Sequence, residues 1–192
     1  MKTLLLLRHA KSSWEDPARA DHDRELNPRG EKAAPVMGRF LLREGLMPDL
    51  VWCSTAVRAV QTLGLLGRQF AETDRVIYAE DLYMARETAL LKCLQQTHDD
   101  ADTVMMVGHN PGMESFALEL IGDDSNGFRS EMERKFPTCA LCHFTFEIDD
   151  WADITWRGGQ LQRFIKVKQL QGEIPSGSDD AATGAGDASA NT

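Results

Sequence analysis

The chain has 192 residues, of which 42% are hydrophobic and 27% charged, with a formal net charge of −9. That length suits one sizeable domain rather than two, and the composition is that of an ordinary globular protein. Glu173, Asp179, Asp180 and Asp187 carry four of the negative charges in a tail without Lys or Arg, and the acidic body has no basic run, which argues against nucleic acid or an anionic membrane as partner.

No targeting segment is read at the start. Leu4–Leu7 are only four apolar residues before Arg8, short of the roughly 7–15 of a secretory signal. Nothing approaches the run of about 20 that spans a membrane. Cys139 and Cys142 have the spacing of a redox or zinc pair, but they fall in an apolar stretch that reads as a strand. Residues i and i+3 of a strand point to opposite faces, so Cys53, Cys93, Cys139 and Cys142 are expected to be structural, and the compartment a reducing cytoplasm.

Leu4–Leu7 form a buried strand that runs into Arg8-His9, and ligand crevices of open α/β sheets lie at the carboxyl ends of strands. Lys11–Asp23 is a polar loop bordering that crevice. Asn27 caps a helix that Pro28 opens, with Ala33, Ala34, Met37, Phe40 and Leu41 as its apolar stripe and Gly45 as its stop. Pro35 is expected to kink this helix or split off its first turn. Asp49–Cys53 is a second strand, and Ser54 caps a helix turning Val60, Leu63, Leu66 and Phe70 inward. Arg58 falls in the first turn of that helix, where backbone donors and the helix dipole already favour an anion.

A third strand is read at Arg75–Tyr78, then a helix bearing Ala89, Leu90, Cys93 and Leu94. Thr103–Val107 is a fourth strand, ending in Gly108-His109. Asn110 and Pro111 open a helix striped by Met113, Phe116, Ala117, Leu120 and Ile121. Gly122–Pro137 reads as a surface loop, and Cys139–Ile148 and Leu161–Val167 as two strands forming an antiparallel edge. Residues 1–170 are thus one three-layer α/β/α domain with a mainly parallel sheet. Residues 171–192 are an acidic Gly/Ser/Ala-rich tail expected to be disordered.

Arg8, His9, Arg58 and His109 are candidates for one pocket. Two guanidinium forks can hold a tetrahedral dianion. An imidazole kept neutral beside them can attack phosphorus, while the second stabilises the spreading charge. No G-x-G-x-x-G follows the first strand and no P-loop occurs, so dinucleotide and P-loop readings fail. Gly108–Gly112 has the spacing of a nucleophile elbow, with Asn110 where serine is needed. His22, His98 and His143 show no ligand spacing, so neither metal nor cofactor is expected.

At these residues the sequence resembles the histidine phosphatase superfamily, whose hallmark Arg-His-Gly ends the first strand and here reads Arg8-His9-Ala10. It is most similar to the SixA-like phosphohistidine phosphatases, through residues 8–14, 23–30, 53–62 and 108–112. The resemblance implies the phosphoglycerate mutase-like fold, His9 as phosphorylated nucleophile, and Arg8, Arg58 and His109 as the phosphate pocket. The substrate it implies is a phosphohistidine protein. A small phosphorylated metabolite is the alternative, and a phosphate-binding adaptor without turnover a further one. Glu15 stands where mutase-like relatives carry an Asn that contacts the phosphoryl group, and its charge would repel a phosphate. Those relatives place a general acid beyond the third strand, where Glu80 or Asp81 are the residues available here.

Overall fold

In a computed structural model, residues 1–171 are described apart from 73, 99, 123 and 125. All but the first residue of the expected tail lies outside the described residues.

The first strand sets the layers. In β1 (Lys2–Arg8), Leu4 and Leu6 enter one apolar core while Leu5 and Leu7 enter another. Alternate side chains leave opposite faces of a strand, so a strand apolar on both faces must be covered on both. Helix α1 (Pro28–Arg43), β2 (Leu50–Ser54), α2 (Val57–Leu66), the short α3 (Arg68–Ala71) and β3 (Val76–Ala79) follow. Then come α4 (Glu87–Gln95), β4 (Thr103–Gly108), α5 (Gly112–Leu120), α6 (Phe128–Arg134), β5 (Leu141–Phe146), β6 (Gln160–Ile165) and α7 (Val167–Leu170). The six strands form one sheet in the order β3-β2-β4-β1-β5-β6. Strands β1 to β4 are parallel, and β5 and β6 add the antiparallel edge. Core residues of α1, α2 and α3 cover one face, and those of α4, α5 and α6 the other.

Register explains where the chemistry can sit. Arg8 pairs with Gly108, and Cys53 pairs with Val107. The carboxyl ends of β1, β4 and β2 therefore finish side by side at one level of the sheet, which brings residues 8–9, 54–58 and 109–110 together.

Several local expectations need correction. Helix α1 runs unbroken through Pro35. Proline there forfeits one backbone bond, but Ala34, Val36, Met37, Phe40 and Leu41 are buried on both sides of it and hold the helix together. Ser54 does not cap α2; the N-cap is Ala56, and Ser54 ends β2. Val60 faces outward and Phe70 belongs to α3, while Arg58 and Thr62 are the polar residues turned inward. Pro111, not Asn110, is the N-cap of α5. The presumed loop Gly122–Pro137 contains α6, whose Met132 is buried together with Phe136 beyond it. Cys139 and Cys142 lie in different cores, but Cys139, with φ +60, sits in a turn before β5 rather than in the strand expected there, and all four cysteines are free and buried. Among the described residues, no helix is long and apolar enough to cross a membrane.

Gly30 shows how tightly α1 is seated against the loop after β1. Asn27 caps the helix by accepting the Gly30 N–H at 3.0 Å. A Cβ on Gly30 would lie 2.2 Å from the Lys11 carbonyl oxygen, a backbone atom that cannot swing aside. Gly30→Ala is therefore expected to cost about 1–3 kcal/mol of stability by overpacking, read as a lower urea midpoint at an unchanged slope.

Candidate active site

His9 is the first residue beyond β1, and its backbone N–H donates to the Gly108 carbonyl at 3.0 Å, fixing it to the tip of β4. The side-chain Nδ1 lies 2.6 Å from the Ala10 carbonyl oxygen. A carbonyl can only accept, so Nδ1 carries the proton and the lone pair resides on Nε2. Thr62 fastens this corner to α2: its Oγ1 accepts the Ala10 N–H at 2.9 Å and donates to the Arg58 carbonyl at 2.6 Å.

His109 holds the equivalent place beyond β4, with its ring centroid 4.9 Å from that of His9. Its Nε2 lies 2.8 Å from the Ser54 hydroxyl, which also accepts the Ala56 N–H at 3.3 Å. If Ser54 gives its proton to Nε2, every bonding capacity of that pair is used and Nδ1 bears the hydrogen. The opposite tautomer leaves the hydroxyl proton without an acceptor, so the bond count favours Nδ1–H. That Nδ1 is buried and has no partner among the described residues.

Both imidazoles are held neutral. The pKa of His9 is lowered to about 3, first by burial and then by the Arg58, Arg8 and Arg24 charges, against the pull of the Ala10 carbonyl. Burial, then His9 and Arg58, lower that of His109 to about 3 as well. A free imidazole titrates near 6.5, so between these values the unfolded chain binds protons that the folded one refuses. The stability these two groups support is present above pH 6.5 and is lost as pH falls towards 3, at about 1.4 kcal/mol per histidine per pH unit. Urea unfolding at pH 7 and pH 5 is expected to show that loss. His143 is shifted in the same direction by burial, so His9→Ala and His109→Gln, each flattening the slope, identify the share of this pair.

The cations approach from different elements. Arg8 ends β1, donates through one terminal nitrogen to the Phe136 carbonyl, and has a buried Nε without a partner among the described residues. Arg58, in the first turn of α2, donates to the Asp21 carbonyl and to Asp21 Oδ2 at 3.0 Å. The same carboxylate accepts from Arg24 at 2.6 Å and from the Tyr83 hydroxyl at 2.7 Å. Burial would raise its pKa, but the donors Tyr83, Arg24 and Arg58 outweigh burial and hold it at about 2. Asp21 is therefore an acceptor and a counter-ion, with no proton to give at neutral pH.

Arg8, His9, Arg58 and His109 line one concavity of about 360 Å³, together with Asp21, Arg24 and Asn110. Glu80 and Asp81, the acids available in the sequence, sit exposed in a 3-10 turn and do not line it. Ser54, Thr62, Asp21, Arg24 and Tyr83 escaped the reading of the sequence. Ser54 and Thr62 sit beside Arg58 in the motif and offered a signal, while Asp21 and Tyr83 reach the site from loops with no periodicity.

This chain matches the model of the histidine phosphatase superfamily (branch 1) over residues 4–83. An uncharacterized Mycobacterium tuberculosis protein is 35% identical over 150 residues, covering 77% of this chain and 91% of the relative. A structure named for the phosphohistidine phosphatase SixA of Nakamurella multipartitia superposes with a TM-score of 0.76 at 32% identity, covering 86% of this chain and 95% of that one. Its counterpart from Agrobacterium tumefaciens gives 0.71 at 30%, covering 86% and 98%. With paired Arg and His at adjoining strand ends, and relatives matched over nearly their whole length, the chain belongs to the histidine phosphatase superfamily.

Proposed function

We propose that this phosphatase takes a phosphoryl group onto His9 Nε2 and then passes it to water, and that its substrate is phosphohistidine in a protein. The observation that carries the reading is an imidazole ready to attack, in a pocket whose lining carboxylate, Asp21, is held ionised. Nε2 attacks phosphorus, the N–P bond of the substrate breaks, and its electron pair returns to the departing imidazole. A substrate ring protonated on its other nitrogen leaves as neutral imidazole, so no protein acid is consumed. Arg8 and Arg58 hold the equatorial oxygens, Arg58 exchanging Asp21 for the incoming dianion, and His109 Nδ1–H donates as charge spreads. Water then attacks the phosphorus on His9, releasing inorganic phosphate and restoring the imidazole.

The neighbours named for SixA support the same substrate class. Four free, buried cysteines support a reducing compartment, the cytoplasm. The test is brief incubation with a labelled phosphohistidine peptide, followed by quenching in alkali. A label on the protein that survives base and is lost in acid is the expected result. A label stable to acid, or none together with no release of phosphate, overturns the reading.

A further inference from the structure

Two large apolar side chains stand in the open at the mouth of this phosphate pocket. Trp14 is 73% exposed and Met84 is 54% exposed, and both line the same concavity as His9, Arg58 and His109. Neither belongs to a core. Trp14 is nevertheless not loose: the Arg24 guanidinium lies 3.2 Å from its ring centroid. That guanidinium is fixed in turn by bonds to the Ser13 carbonyl at 2.8 Å, the Ser12 hydroxyl at 2.7 Å and Asp21 at 2.6 Å. The indole is therefore presented in one orientation, with the entropic cost of ordering it already met. Met84 has φ +50, a left-handed conformation that side-chain-bearing residues adopt at a cost. That cost is borne by a residue whose side chain faces solvent at the site.

A small phosphorylated metabolite is a hydrated dianion with little use for an exposed indole and a thioether. A polypeptide around a phosphorylated side chain does have use for them, because tryptophan is a favoured anchor in interfaces and methionine adapts to irregular surfaces. We propose that Trp14 and Met84 form a docking rim that grips the polypeptide flanking the phosphohistidine. Specificity for protein over free phosphoramidate then resides in these two side chains. Glu15 and Asp16 follow Trp14 on the surface, so basic residues near the phosphohistidine are favoured there by charge. This inference rests on the reading of His9 as phosphoryl acceptor.

The test compares kcat/KM on a lysine-flanked phosphohistidine peptide with that on phosphoramidate, for the native chain, Trp14→Ala, Trp14→Phe and Met84→Ala. The alanine variants are expected to lose about 10-fold more on the peptide than on phosphoramidate, through KM, as truncation of an interface anchor does. Trp14→Phe should recover most of the peptide activity. Equal losses on both substrates would mean that Trp14 merely props Arg24, and would overturn the rim. A native chain that turns over phosphoramidate but not the peptide also overturns the rim while leaving transfer through His9 intact. Inactivity on both defeats the functional reading, and the rim with it.

Discussion

His9→Ala should abolish phosphoryl transfer, leaving no base-stable label on the protein and no phosphate released above the uncatalysed rate. The reason is specific to the geometry. His9 Nδ1 is occupied by the Ala10 carbonyl, so Nε2 is the atom that can form the new bond to phosphorus, and alanine removes it. His109 cannot stand in, because Ser54 engages its Nε2 and its Nδ1 carries the hydrogen, leaving no lone pair free for attack. Arg58→Ala should behave differently. It removes a charge-assisted fork but leaves the nucleophile, and loss of one transition-state donor typically costs about 10²–10³-fold. The two variants together separate covalent chemistry from electrostatic support, each read as phosphate release from a phosphohistidine peptide. Full turnover by His9→Ala would sink the covalent mechanism.

The elements that position the site were legible because their signals are local. Leu4–Leu7 and Thr103–Val107 are short apolar runs, each followed by a polar tip. Once two such strands are neighbours in a parallel sheet, their tips must meet, and Arg8 and His109 do so through the Arg8–Gly108 register. What stayed illegible depends on partners distant in sequence. Ser54 has the chemistry of a helix cap, and only its pairing with His109, 55 residues away, shows that the hydroxyl serves an imidazole instead. Asp21 lies in a loop without periodicity, and its bonds to Arg58 and Tyr83 span 37 and 62 residues. Helix α6 was hidden for another reason. Its 7 residues are mostly charged or polar, and its buried anchor is the single Met132, too little for a periodic signal.

The leaving group is expected to decide the substrate by a wide margin. Expelling an alkoxide from an oxygen ester produces a base whose conjugate acid is about as weak as water, near 15.7, whereas imidazole's conjugate acid is near 6.5. Enzymes that cleave alkyl esters offset this difference with a placed acid, which contributes about 10²–10⁴-fold. Asp21 lines the pocket but is held at about 2 by its three donors, so it has no proton to deliver. Glu80 and Asp81 are exposed and do not line the concavity. The native chain should therefore favour a phosphohistidine peptide over a sugar phosphate in kcat/KM by at least the missing factor, about 10²–10⁴-fold. Glu80→Gln should change neither value. Asp21→Asn keeps the size of the side chain but removes the counter-ion of Arg58, so it should tighten binding of inorganic phosphate without creating esterase activity. Efficient sugar-phosphate hydrolysis that fell with Glu80→Gln would reverse the assignment, because it would show that the turn carrying Glu80 swings in to supply the proton an oxygen ester requires.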